Sequence, residues 1–126
     1  MKSFKYLLYL FFILNLSVLN INAKDLTPTS SLLASGGVID LVLNNDKLYA
    51  STAASSVDIF DIKTQERIDS IKMPKIKDFL GDVIDSKIYS VDVLENNILI
   101  LSQGEQGGRN LDIYTNGKFE NIIKDT

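Results

Sequence analysis

The strongest constraint on the fold is a pattern of short β-type runs that occurs twice along the chain. From Val38 onward, β-branched and aliphatic segments alternate with clusters of Asn, Asp and Gly, a pattern that is typical of all-β proteins. The first unit contains four predicted strands within residues 38–72, and the second contains four within residues 88–126. The sequence therefore predicts two four-stranded antiparallel meanders.

The two units also align with each other. Their first halves match without a gap when Tyr49-Ala50-Ser51 is placed over Ile100-Leu101-Ser102. After a slip of three residues, Val57-Asp58-Ile59-Phe60 corresponds to Leu111-Asp112-Ile113-Tyr114, and an Asn116-Gly117 turn closes the last hairpin. A four-strand unit repeated at about 50 residues is typical of β-propeller blades, and a meander without true repetition is the alternative.

A pair of blades is an incomplete propeller. Propellers have roughly 4–8 blades, and each blade covers the faces of its two neighbours. An isolated pair therefore leaves one apolar sheet face open at each end. We expect either further blades in a longer protein or an association of copies that covers these faces.

The first 23 residues have the three parts of a cleavable secretory signal peptide. Lys2 and Lys5 provide the positive start, residues 6–14 form the apolar run, and Ala23 is the small residue at the cleavage position. A membrane anchor is the alternative, but polar residues interrupt the length that a spanning helix requires. We therefore predict a signal-peptide helix, a periplasmic location and no stable membrane anchor after cleavage.

Composition excludes several classes of function. Cleavage removes Lys2 and Lys5 and no acidic residue, so the formal charge changes from −3 to −5. This acidic balance argues against nucleic acid as a partner, since phosphate binding needs clustered Lys and Arg. The chain has no Cys and no His, which excludes disulfides, thiolate nucleophiles and the Ser-His-Asp scheme. A carboxylate-only hydrolase or a calcium site remains compatible with this composition. Because the residues form no catalytic constellation, we expect no enzyme activity, no cofactor and no metal.

Two segments lie outside the predicted blades. Residues 24–37 are rich in small and turn-forming residues and predict a linker. Residues 73–87 are too long for a simple hairpin connection, and long connections commonly carry function. We interpret this segment as a candidate partner-contact loop, and a packed Ω-loop or one helical turn without a partner is the alternative. Its candidate contact residues are Lys75, Lys77, Phe79, Leu80 and Asp82.

Three further sets of residues are candidates for a chemical role, and a simpler explanation is favoured for each. Asp78, Asp82 and Asp85 lack the alternate spacing and central Gly of a calcium loop, which favours a solvated loop. The Gly-rich segment 104–108 has no predicted helix after it, which favours a flexible loop over a phosphate cradle. Asp58 and its match in the second unit are expected to cap or pair within the third strands.

The connecting segment and the start of the second unit carry a family resemblance. The segments that carry it are Pro74-Lys75-Ile76-Lys77-Asp78-Phe79, Gly81-Asp82, Ile84-Asp85, Lys87-Ile88-Tyr89-Ser90-Val91-Asp92 and Leu99-Ile100-Leu101-Ser102-Gln103. In the first unit, Val57-Asp58-Ile59-Phe60-Asp61 is also similar. From about Gly36 to the end, the chain resembles the NapL family, WD40-like accessory proteins encoded with periplasmic nitrate reductase.

The resemblance implies a fold and a role. It implies an exported, cofactor-free WD40-like β-propeller that supports nitrate respiration as a protein-binding scaffold. The implied partner is the nitrate reductase or one of its maturation factors. Members of the family are longer, so this chain corresponds to their N-terminal blades, and the family provides no catalytic residues to transfer.

The alternative is an unrelated extracytoplasmic propeller that binds a small molecule or another protein, or a non-functional fragment of one. A quinone-dependent propeller dehydrogenase is the enzyme version of this alternative. The chain is too short for such an enzyme, and it lacks Cys, His and Trp. A non-catalytic binding module is therefore favoured.

Overall fold

The computed structural model of the chain describes residues 4–6 and 26–124. Residues 4–6 are helical, and the rest of the predicted signal peptide, with its cleavage position at Ala23, lies outside the described residues. All the strands belong to one compact unit that begins at Ser31. Over the described ranges, no helix combines the length and the apolar character needed to cross a membrane.

The compact unit consists of two four-stranded antiparallel sheets and a short hairpin. The first sheet contains β1 (Val38–Asn44), β2 (Lys47–Thr52), β3 (Ser56–Asp61) and β4 (Glu66–Lys72) in chain order. The hairpin contains β5 (Ile76–Lys77) and β6 (Val83–Ile84). The second sheet contains β7 (Ile88–Leu94), β8 (Asn97–Gln103), β9 (Arg109–Thr115) and β10 (Lys118–Lys124), with a 3₁₀ turn at Glu105–Gly107. The two predicted meanders are confirmed.

Short turns connect consecutive strands within each sheet. Asn116 and Gly117 both have positive φ, at 51° and 81°, as a two-residue hairpin turn of type I′ requires. The turns before β2 and before β8 use Asn45 and Glu95, which also have positive φ, at 54° and 57°. The clusters of turn residues therefore fall where the sequence predicts strand ends.

The strand register corrects the sequence alignment of the two units by one residue. Val38 pairs with Thr52 next to a bulge in the first sheet, and Ile88 pairs with Ser102 next to the matching bulge in the second. Thr52 therefore corresponds to Ser102, whereas the gapless alignment placed it over Gln103. The alignment was wrong because β8 is aliphatic at consecutive positions, so no alternation marks its buried face. Such a one-residue slip exchanges the two faces of a strand.

The predicted match of the third strands is confirmed. Asp58 pairs with Ala50 in the first sheet, and Asp112 pairs with Ile100 in the second. Because these pairs hold the same place in the two ladders, Asp58 and Asp112 are structurally equivalent.

The hydrophobic core lies between the two sheets, where β1 and β2 pack against β7. Complete burial of a Val, Leu, Ile, Phe or Met side chain stabilises a fold by about 1.5–3 kcal/mol. On β3, Val57 and Ile59 face this core, while Asp58 and Phe60 are buried on the opposite face. The buried core residues are Tyr49, Val57, Ile59, Ile71, Met73, Ile88, Val91, Ile98 and Ile100.

The outer face of the second sheet is more open than the equivalent face of the first. The register places Leu99, Leu111, Ile113 and Ile123 at the positions that Tyr49, Val57, Ile59 and Ile71 occupy in the first sheet. The first-sheet residues are buried against the second sheet, whereas Ile123 is 57% exposed and the other three are half-buried.

Asp40 joins the two sheets through polar contacts. One of its carboxylate oxygens accepts hydrogen bonds from Ser90 Oγ at 2.9 Å and from the Val91 amide at 3.1 Å, both in β7. The other oxygen accepts from the Leu41 amide at 2.9 Å. The Val91 amide first, and then the Ser90 hydroxyl, lower the pKa of Asp40 below its ordinary value. The ionised carboxylate therefore fixes β1 against β7.

We expect Asp40→Asn to lower the free energy of unfolding by about 1–2 kcal/mol at pH 7, because charge-assisted hydrogen bonds to β7 are weakened. The pKa of Asp40 is lower in the folded chain than in the unfolded chain. The stabilisation is therefore present above the unfolded value of about 4 and is lost as pH falls through the folded value. Urea unfolding of both proteins at pH 7 and at pH 3 measures this difference.

Asp92→Asn is the matched control. Asp92 also accepts from the amide that follows it, that of Val93, at 2.8 Å, and it is exposed on β7. Equal losses of stability in the two variants would show that Asp40 does not act between the sheets.

Candidate functional site

The predicted contact loop at residues 73–87 contains the β5–β6 hairpin, in place of an Ω-loop or a helical turn. Asp78 closes its turn, because Asp78 Oδ1 accepts from the amides of Leu80 at 2.8 Å and Asp82 at 2.9 Å. The Asp78 amide donates to the Asp82 carbonyl at 3.0 Å, and Gly81 has a φ of 86°. This positive φ favours glycine. The hairpin is therefore a defined structure and not a loose connection.

The hairpin tip exposes two large apolar side chains. Phe79 is 77% exposed and Leu80 is 87% exposed. One edge of the Phe79 ring lies against Gly107 of the 3₁₀ turn, where an added Cβ would be 3.0 Å from a ring carbon. The Gly-rich segment therefore gives room to the Phe79 ring, and this contact helps to fix the orientation of the tip.

The predicted contact residues do not all lie at the tip. Lys77 and Asp82 are exposed on the hairpin beside Phe79 and Leu80. Lys75 lies at the base, where its Nζ is 3.0 Å from Asp85. The hydrogen bond from Lys75 first, and then the charge of Lys72 at 3.9 Å, lower the pKa of Asp85. Lys75 is therefore engaged within the chain.

The three acidic residues of this segment have separate positions. Asp78 caps the turn, and Asp85 pairs with lysines at the base. Across the described ranges, no three carboxylates come together in the manner of metal ligands.

A buried polar cluster surrounds Asp58 and was not predicted from the sequence. Asp58 is completely buried and accepts from Ser70 Oγ at 2.6 Å, from the Ser35 amide at 2.6 Å and from Ser35 Oγ at 3.1 Å. Arg67 Nη1 lies 3.4 Å from Asp58 Oδ2, the oxygen that also accepts from the Ser35 amide. Burial alone raises the pKa of Asp58. These donors and the charge of Arg67 together have a larger, opposite effect, so the pKa of Asp58 lies below its ordinary value. The end of the predicted linker, residues 24–37, is therefore anchored at Ser35.

The equivalent position in the second sheet borders a cavity of about 300 Å³. Asn121 Nδ2 donates to Asp112 Oδ1 at 2.8 Å, as Ser70 donates to Asp58. The register places Phe119 where the first sheet has Arg67. Asp112 therefore has a donor in the fourth strand of its sheet, as Asp58 does in the first sheet. It has no cationic residue at the position equivalent to Arg67.

The connecting segment explains why this cavity forms. The Ala53 amide donates to the Gly37 carbonyl at 2.8 Å, and the Gln103 amide donates to the Lys87 carbonyl at 2.7 Å. These matching bonds make Asp85 the counterpart of Ser35. The side chain of Asp85 is drawn to Lys75 and not to Asp112, so the second sheet has no equivalent of the Ser35 contact.

Comparison with protein-family models, with curated proteins and with solved structures gives no match. The resemblance to the NapL family therefore stays a prediction. Two features of this chain bear on its function, the exposed hairpin and the cavity beside Asp112.

We expect Asp78→Ala to speed hydrogen exchange at the Leu80 and Asp82 amides by about three- to tenfold, because both amides lose their acceptor. Amide exchange followed by NMR at constant pH measures the change. Asp82→Ala is the control, since it removes a neighbouring carboxylate and leaves the Asp78 acceptor in place. Unchanged exchange in Asp78→Ala would contradict the role given to Asp78.

Proposed function

We propose that this chain is a non-catalytic protein-binding scaffold made of two β-propeller-type blades. We further propose that it acts in the periplasm with nitrate reductase or one of its maturation factors. The observation that carries the binding role is the hairpin that presents Phe79 and Leu80 to solvent. The reductase system itself is proposed from the family resemblance of the hairpin and the second unit.

The geometry of the hairpin suits a protein contact. Large apolar side chains supply most of the affinity at protein interfaces when they enter a pocket on the partner. Asp78 holds the turn, and Gly107 lies against the Phe79 ring. The hairpin therefore loses less conformational freedom when a partner binds it than a mobile loop would lose.

The internal repetition supports the propeller-type interpretation. The two sheets have the same strand order and the same bulge position, and they pack through β1, β2 and β7. The exposed Leu41 and Leu43 of the first sheet correspond to Val91 and Val93, which contribute to the packing between the sheets. The two sheets thus behave as successive copies of one packing unit.

The open outer face of the second sheet is proposed to take the first sheet of a second copy. This face corresponds to the one that packs against β7 within the chain. The first sheet of another copy presents Leu41 and Leu43, which are 54% and 62% exposed. Ala50 and Phe60 of that sheet are already buried within the chain, so the proposed contact between copies uses the β1 end of its face.

We expect the wild-type chain to self-associate as concentration rises and the double variant Leu101→Lys/Ile123→Lys to be monomeric. Two lysines on this face oppose burial because their charges must lose water. Light scattering coupled to gel filtration measures the mass, and circular dichroism checks the fold. Ile68→Lys is the control, since Ile68 is also exposed but lies on β4. A wild-type monomer at every concentration would contradict association through this face.

We expect the chain to co-purify with nitrate reductase from nitrate-grown cells and Phe79→Ala/Leu80→Ala to lose this association by about tenfold or more. The control is Ile68→Ala, which removes an exposed apolar side chain away from the hairpin. Reductase activity is also measured in cells that lack the chain. Unchanged activity, together with equal co-purification of the double variant, would overturn the proposal.

A further inference from the structure

We infer that the cavity beside Asp112 binds the primary ammonium group of an alkylamine. The amine is either a free small molecule or the side chain of a lysine. This is a second site, distinct from the hairpin, and it does not depend on the proposed partner.

The comparison of the two sheets shows what Asp112 lacks. Asp58 has hydroxyl donors from Ser70 and Ser35, an amide donor from Ser35 and the positive charge of Arg67. Asp112 has the amide donor of Asn121 and the apolar Phe119 at the Arg67 position. Asp112 is only 9% exposed, and a buried carboxylate is costly unless donors or a cation compensate it. A cationic donor in the cavity therefore supplies what the first sheet obtains from its own residues.

The other polar atoms of the cavity indicate the same chemistry. Asn110 Oδ1 and Gln103 Oε1 are buried, and neither has a hydrogen-bond partner among the described residues. Both residues line the cavity together with Asp112. A primary ammonium has three donors and no acceptor, so it can donate to Asp112. A rotation of the Gln103 and Asn110 side chains toward the cavity, which forfeits no hydrogen bond of their buried oxygens, would add these two acceptors. An anion would instead meet the Asp112 carboxylate.

The remaining walls define the body of the ligand. Met73, Pro74, Ile76 and Phe119 form an apolar side of the cavity. The cavity volume of about 300 Å³ is at the small end of ligand sites. It suits a short alkyl chain of the length found in lysine.

The charged residues at the cavity also fit a cation. Glu105 adds a second carboxylate to the lining. Of the two lysines in the lining, Lys75 is paired with Asp85 at 3.0 Å, and Lys124 lies on the exposed edge strand β10. Lys124→Met removes the nearby amine of the chain itself and leaves the three acceptors in place.

The test is an NMR titration of the full chain at pH 7 with n-butylamine, with n-butanol as the neutral analogue. We expect saturable shifts at the amides of Asn110, Asp112 and Asn121 with the amine and none with the alcohol. Asp112→Asn is expected to weaken amine binding by at least about tenfold, since it removes a charge-assisted hydrogen bond. Asp92→Asn, an equal change of charge on an exposed part of β7, is expected to leave affinity unchanged.

A second ligand separates the two sources of the amine. Nα-acetyl-lysine methylamide carries the same ammonium group on a peptide-like body. Binding as tight as that of n-butylamine assigns the site to a lysine side chain, and weaker binding assigns it to a free amine.

Two further variants keep the test decisive. Gln103→Met removes one acceptor and is expected to weaken binding several-fold, so it tests the site if Asp112→Asn does not fold. Lys124→Met is expected to bind at least as tightly as the wild type. The inference is overturned if no amine causes saturable shifts in the wild type and in Lys124→Met. Equal binding of n-butanol, or unchanged affinity in a folded Asp112→Asn or Gln103→Met variant, overturns it as well.

Discussion

The contact between β1 and β7 determines the rest of the structure. Hydrogen bonds to the Asp40 carboxylate fix the position of β1 relative to β7. The aliphatic residues between the sheets supply non-directional burial that is compatible with several sliding positions. Hydrogen bonds from Ser90 Oγ and the Val91 amide select one of them. Once β1 and β7 are fixed, the remaining strands of each sheet follow by hairpin pairing, so this contact decides which faces become core and which stay open.

The features that are local in sequence could be predicted, and the non-local ones could not. The eight long strands follow from runs of β-branched residues and from turns such as Asn116-Gly117. The register of β8 does not, because Ile98, Leu99, Ile100 and Leu101 are all suitable for either face. The hairpin has a local signal, since Asp78 and Gly81 have the spacing of a capped turn. The prediction that Asp78 is one of three solvated carboxylates overlooks this signal.

The polar sites show a different limit of sequence analysis. The match of Asp58 with Asp112 was visible, and the cluster around Asp58 was not, because Ser35 reaches it from a segment with the composition of a linker. The structure shows that the two aspartates have different surroundings. Asp58 is satisfied by residues of its own chain and stabilises the first sheet. Asp112 has no equivalent of the Arg67 and Ser35 contacts, and a cavity lies beside it. The cavity beside Asp112 is therefore the place proposed for an amine.

The packing of β1 on β7 is the central claim, and a NOESY spectrum of the isotope-labelled chain tests it most directly. The Val91 amide nitrogen is 3.1 Å from Asp40 Oδ2, so the Val91 amide proton is expected to show a cross-peak to the Asp40 Hβ protons. Cross-peaks within each sheet serve as the internal reference. Their presence without any cross-peak between β1 and β7 would contradict the packing described here.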